Sequence, residues 1–422
     1  MEVDQVGSTY IQGKEDIMRG NSIIANVRFK EPLDREALWE SYRRFILARK
    51  NMRLKWVKED DSKGYQWVEF DEQEVEELLE KERPTLEGYT TTETVRSEYY
   101  PTNTRLPMRL ALLDDYTLVV VINHTFATGR AGVYWFEDWL QFYESKSSET
   151  PPLLAQRTAR KPSATTQLSR DAVGMFWLIT YLIKFFRDAG KKPTLDTVDL
   201  SHGRQTHQYS SGYSVKSYRL TPEQTVALRK RCRSRGVTVT EHLVEVIAQA
   251  MFDLQPDKQR VCISVPVDLS LLMRYVERSR PGNYTSAIII QLFRNRELIP
   301  QIRSQLKWVR RGVPYYFFRL LGWLNTDKTL REKLINGTRL PFTSRGPLEG
   351  HTCILSLPGT VKKARLVEKI EWASGHSRTQ APLIAFASIG RVTCMEVSAA
   401  NDLYKAQEVF AAADKIYAAL LS

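Results

Sequence analysis

The hydrophobic pattern changes period at one place in the chain. Residues 118–122 read Leu-Val-Val-Val-Ile, a continuous apolar, β-branched run that stops abruptly at Asn123-His124. Such a run, short and bounded by polar residues, predicts a buried strand. After Gly129 the apolar positions fall at Val133, Phe136, Leu140 and Tyr143, the spacing of a helix. His124 therefore stands where a buried strand gives way to a helix. An imidazole placed there titrates near neutral pH and suits a general base.

The same pattern divides the rest of the chain. Upstream it predicts a strand at 22–29, a helix at 34–50 with Leu38, Tyr42, Phe45 and Ile46 on one face, a strand at 52–57 and an acidic helix at 74–81. Asp114-Asp115 separates 106–113 from 116–122, a hairpin whose second strand delivers His124. Residues 145–169, rich in Ser, Thr, Pro and Lys, read as a surface loop. The most apolar stretch is 173–186, too short for the ~20 residues that span a bilayer. It reads first as a buried helix. Lys184, Arg187, Lys191 and Lys192 give it a second reading, a greasy surface helix near a lipid-like substrate or a membrane.

Beyond a polar linker at 191–206 the pattern predicts a strand at 213–220 and two capped helices. Thr221-Pro222-Glu223-Gln224 and Thr238-Val239-Thr240-Glu241 are capping boxes, and the second opens a helix carrying Leu243, Val244, Ile247 and Met251. Strands follow at 261–267, 286–293, 353–357 and within 383–398, with helices at 298–311 and 402–421. Two lobes are expected: 1–190 carrying His124, and 207–422, joined by 191–206. With 422 residues a single compact domain is disfavoured. Strands and helices mixed in both halves imply an α/β (α+β) class.

Composition narrows the partners. The formal charge of +12 suits an anionic ligand, a phosphorylated cofactor or an acidic protein surface. Its scattered basic residues and lack of a recognised nucleic-acid motif argue against nucleic acid. Cys232, Cys262, Cys353 and Cys394 form no C-x-x-C pair, which points to reduced thiols in a cytosol. The first ten residues lack the apolar core of a signal peptide. The six His show no metal-ligand spacing, so no metal is expected.

The order strand–His124–x–x–x–Thr128–Gly129–helix resembles the active-site motif of the chloramphenicol acetyltransferase-like superfamily. That group includes alcohol and polyketide-associated acyltransferases, wax ester synthases and condensation domains. Other stretches carry the likeness in order: 105–113 before the motif strand, Gly236 to Thr240 with its helix, Pro266-Val267-Asp268-Leu269 followed by Pro281-Gly282-Asn283, and the closing hairpin and helix from Pro382. The resemblance implies a two-lobed fold with the active site in a tunnel between the lobes. It implies His124 as general base, with Asn123, Thr128 and Gly129 as motif support. It further implies an acyl-CoA or phosphopantetheine thioester as cosubstrate rather than a resident cofactor, a small hydrophobic acceptor and an acyl carrier protein as partner. Asn283, Thr285, Ser286 and Ser356 are the candidates for oxyanion or substrate contacts.

Two positions depart from the motif. Asn123 stands where the family commonly has a first His, and Thr128 where it has Asp. The resemblance makes that Asp a brace for the loop through an Arg, so Thr128 offers only a neutral, local hydrogen bond. The departures leave two alternatives open: the same fold running another reaction, such as cyclisation of a biosynthetic intermediate, or a non-catalytic carrier-docking protein.

Overall fold

The computed structural model describes residues 22–60, 64–83, 91, 95, 104–145, 164–189, 197–200, 213–269, 285–317, 352–362, 364–374, 381–401 and 404–422. The first lobe opens with β1 (Ser22–Phe29) and α1 (Arg35–Ala48). Asp34 starts α1 by accepting a hydrogen bond from the Ala37 amide, and Leu38, Tyr42, Phe45 and Ile46 turn inward as their spacing requires. The hairpin β2 (Leu54–Asp60) and β3 (Gly64–Glu69) follows, then α2 (Glu72–Glu82), opened by an Asp71/Glu74 capping box. The strands β4 (Met108–Asp114) and β5 (Thr117–Asn123) pair antiparallel across the Asp114-Asp115 turn. Every residue of β5 is buried. The helix α3 (Gly129–Ser145) then runs back along the sheet, and α4 (Ala164–Ala189) leads toward the second lobe.

The second lobe contains β6 (Tyr213–Leu220), α5 (Pro222–Ser234), α6 (Val239–Leu254), β7 (Arg260–Asp268), β8 (Thr285–Phe293) and α7 (Leu298–Arg310). The chain continues through β9 (Cys353–Val361), β10 (Val367–Ser374), β11 (Leu383–Ile389), β12 (Val392–Ala400) and α8 (Ala406–Leu421), all but β10 in the sheet or core of the second lobe. Both capping boxes form as the sequence predicts. A six-stranded mixed sheet has the order β6-β12-β11-β9-β7-β8, with β9 parallel to both neighbours. The first lobe's sheet is antiparallel, in the order β10-β1-β5-β4.

Three segments cross the expected division at 191–206. Strand β10, late in the chain, adds to the edge of the first sheet beside β1, where Val367, Ile370 and Trp372 enter the first core. Its charged residues Glu368, Lys369 and Glu371 break the apolar run, which is why periodicity missed it. Helix α4 sits with the second lobe: Leu178 is buried in that core, and Trp177, Tyr181 and Leu182 pack against it. Within the expected linker, 197–200 is pinned rather than polar and loose. Val198 and Leu200 are in the second core, and Thr197 bridges to Arg260.

Helix α4 also differs from both readings of 173–186 taken singly. It starts at Ala164, inside the expected loop, and is two-sided. One face is core, while Val173, Phe176, Ile179 and Ile183 are each more than half exposed. No described helix is long and apolar enough to cross a membrane. The strand β9 links the lobes from within: Cys353 and Leu355 belong to the second core and Val361 to the first. Its pairing with β11 slips by one residue between Ala385 and Ala387, beside Gly359 at a φ of 121°. That left-handed backbone suits glycine and redirects the strand from one core to the other.

Candidate functional site

The motif loop is built by short hydrogen bonds before any chemistry is considered. Asn123 ends β5, opposite Ser22 of β1, and its amide donates to the Pro107 carbonyl at 3.0 Å. Its side-chain oxygen accepts from the Thr125 amide at 2.9 Å, and its carbonyl accepts from the Phe126 amide at 3.0 Å. This is an Asx turn, so the residue that replaces the motif's first His folds the chain sharply. Phe126 then buries its ring against Trp67 of β3, with centroids 4.8 Å apart. The β2–β3 hairpin therefore holds the loop, a contact between distant aromatics that no local pattern announces.

Thr128 caps α3. Its hydroxyl accepts from the Ala131 amide at 3.1 Å and its carbonyl from the Gly132 amide at 2.9 Å. No described ion pair involves residues 123–128. At the position where the resemblance implies a charged brace, Thr128 offers a neutral helix cap. We expect Thr128→Val to lower unfolding stability by about 1 kcal/mol, as loss of a cap does, with Thr128→Ser near neutral. Denaturant midpoints would read the difference, and equal midpoints would deny the cap its role.

Three contacts place the loop at the junction of the lobes. A Cβ added to Gly129 would sit 3.5 Å from the Pro358 side chain of β9. Glu137 of α3 accepts a hydrogen bond from the Lys362 amide just past β9. Arg130 reaches Asp268, at the end of β7, across 3.8 Å. Gly132 allows α3 to lie close to β5, since a Cβ there would come within 3.1 Å of Ile122.

His124 is half-buried, with protein atoms crowding it on nearly every side. Burial pushes its pKa below the ordinary imidazole value, opposed by backbone groups of His124 and Ala127. The ring is thus neutral at physiological pH. Nδ1 is fully buried and has no hydrogen-bond partner, which leaves Nε2 as the ring nitrogen able to meet a substrate. The arrangement can take a proton from a group approaching Nε2.

The remaining candidates separate. Ser356 is half-buried on β9, two residues before Pro358, and so lies along the strand that touches the motif helix. Thr285 is half-buried opposite Asp268 on β8, and Ser286 pairs with Val267. Asp268, singled out only as part of a family stretch, thus meets both Arg130 and the start of β8. Asn283 lies outside the described residues. His242 is buried in α6, with Nδ1 3.2 Å from Glu245, away from the motif. The groove of about 670 Å³ between α5, α6, α7 and α8 includes His242 and none of the motif residues.

No known family model and no curated protein matches the sequence. Solved structures do match. The first condensation domain of the calcium-dependent antibiotic synthetase, in complex with a substrate analogue, superposes with a TM-score of 0.65 at 14% identity. The match covers 99% of this chain and 95% of that one. The chain has the two-lobed fold of the condensation domains. The epimerization domain from the third module of tyrocidine synthetase B shares it at TM-score 0.61 and 15% identity, covering 96% and 92%. Polyketide synthase associated protein 5 from Mycobacterium tuberculosis shares it at 0.61 and 13%, covering 99% and 97%. This is the chloramphenicol acetyltransferase-like architecture that the resemblance implied.

Proposed function

We propose that the protein transfers an acyl group from a coenzyme A or carrier-protein thioester to a hydroxyl or amine of a small hydrophobic acceptor, with His124 as general base. The carrying observation is a neutral, crowded imidazole at the tip of β5, where α3 abuts β9. Nε2 takes the acceptor's proton as its oxygen or nitrogen attacks the thioester carbonyl carbon. The resulting oxyanion needs a donor, for which Ser356 and Thr285 are the candidates among the described residues. The C–S bond then breaks, the imidazolium returns its proton, and the free thiol leaves. The basic surface suits the phosphates of coenzyme A or an acidic carrier domain, and four unbridged cysteines suit a reducing cytosol.

Release of free thiol from a panel of acyl-CoA and acyl-pantetheine thioesters, with and without alcohols and amines, tests this reading. The protein's own thiols are buried, and burial raises Cys262 to about 11 and Cys353 to about 12, so they add little background. Acceptor-dependent thiol release supports acyl transfer. Conversion of a substrate with no thiol released would instead favour a rearrangement such as cyclisation. That second reading draws on Asn123 and Thr128, and on the epimerization and cyclization domains that share the fold. Absence of any turnover, with a carrier domain bound, would favour a docking role.

A further inference from the structure

Helix α4 turns an apolar stripe outward. Val173, Phe176, Ile179 and Ile183 recur at three- and four-residue spacing and are 58%, 60%, 53% and 65% exposed. Few other large apolar side chains are exposed among the described residues, and Met175 beside the stripe is one of them. Scattered exposed hydrophobics are ordinary, whereas a contiguous stripe marks a contact surface.

The helix is fixed by its other face. Leu178 is fully buried, Trp177 and Tyr181 meet the Trp308 ring edge-on at 6.1 and 5.8 Å, and Arg311 stacks over Trp177 at 3.6 Å. Gly174 lies so close to Tyr316 that a Cβ would fall 1.9 Å from its ring. The stripe is thus presented by a seated helix.

Charge identifies what it faces. From Arg157 to Lys192 the sequence has eight basic residues and only Asp171 and Asp188 as acids, half the chain's net +12 in 36 residues. Apolar side chains flanked by Lys and Arg are the pattern of a helix lying in a lipid–water interface. A second copy of the chain fits poorly. Val173 to Ile183 spans about 15 Å on a helix about 10 Å wide, well under the about 800 Å² per partner of a stable interface. A two-fold contact would also set one basic segment against its twin.

We propose that α4 is a peripheral membrane-docking helix for anionic lipid surfaces, its Val173–Phe176–Ile179–Ile183 stripe entering the interface and the excess positive charge of this part of the sequence favouring anionic headgroups. The proposal stands apart from catalysis by His124.

Co-sedimentation of the full chain with vesicles tests it. Binding is expected to phosphatidylcholine vesicles containing phosphatidylglycerol and to be weak with phosphatidylcholine alone. Raising salt from about 0.1 M to about 1 M, which shortens the screening length from about 10 to about 3 Å, should weaken it. Phe176→Ser and Ile183→Ser together should lower binding about tenfold or more, with unchanged melting because both residues are exposed. Val173→Ser with Ile179→Ser is the independent pair. His124→Ala should bind vesicles like the parent, so failure of the catalytic reading leaves this result readable. No binding to phosphatidylglycerol vesicles overturns the proposal, as does binding that neither serine pair weakens. A dimer in light scattering that the serine pairs dissociate would assign the face to a second copy instead.

Discussion

His124→Ala should leave the fold intact and lower thiol-releasing turnover by about 10²-fold or more, the scale of a positioned general base. The residue sits in a loop held by its neighbours: Asn123 closes the turn, Phe126 anchors it on Trp67, and Thr128 caps α3. None of these contacts uses the imidazole, so its removal spares them. In the parent, kcat/KM should rise with pH along a limb centred below the ordinary imidazole value of about 6.5, because burial disfavours the charged ring. The same shift touches stability. With the folded pKa lowered, the unfolded chain binds the extra proton first as pH falls from about 6.5. This contribution to stability is present above that pH and is lost as pH falls through the folded value. His124→Ala should therefore be less acid-sensitive than the parent over that window. Turnover of the variant equal to the parent's would remove His124 from the chemistry.

Asp138→Ala should cost about 3–5 kcal/mol of unfolding stability, the largest single-site loss expected away from the apolar cores. Asp138 on α3 pairs with Arg49 at the end of α1, their side chains only 3% and 2% exposed. Burial pushes the Arg49 pKa down and Asp138 opposes the shift. Arginine nevertheless keeps its proton, so removing the carboxylate strands a buried cation. Replacing both partners, Arg49→Met with Asp138→Leu, should recover most of the loss, since the penalty belongs to the orphaned charge. Denaturant melts of the three variants decide this. A single variant as stable as the parent would show the pair to be dispensable. Because α3 carries the motif at its first turn, Asp138→Ala should also reduce turnover through misplacement of the loop.

The sequence alone determined what depends on neighbours in the chain. The abrupt end of 118–122 at His124 set a strand tip, and Val133, Phe136 and Leu140 set the helix behind it. Thr221 and Thr238 set two helix starts, and the order of motifs set a two-lobed fold. These follow from periodicity and capping, which act within a few residues. Tertiary structure decided what depends on partners far along the chain. It moved β10 from the second half into the first sheet, because Val367, Ile370 and Trp372 gain burial there that the charged residues between them hide from the pattern. It made Thr128 a cap and Asn123 a turn, and set Trp67 beneath Phe126. It carried β9 from one core to the other, so that Pro358 meets Gly129 and Ser356 comes within two residues of the motif helix's contact. It also turned one face of α4 to solvent. A helix buries only the width its neighbours cover, and the covering residues, Trp308, Arg311 and Tyr316, lie more than a hundred positions away.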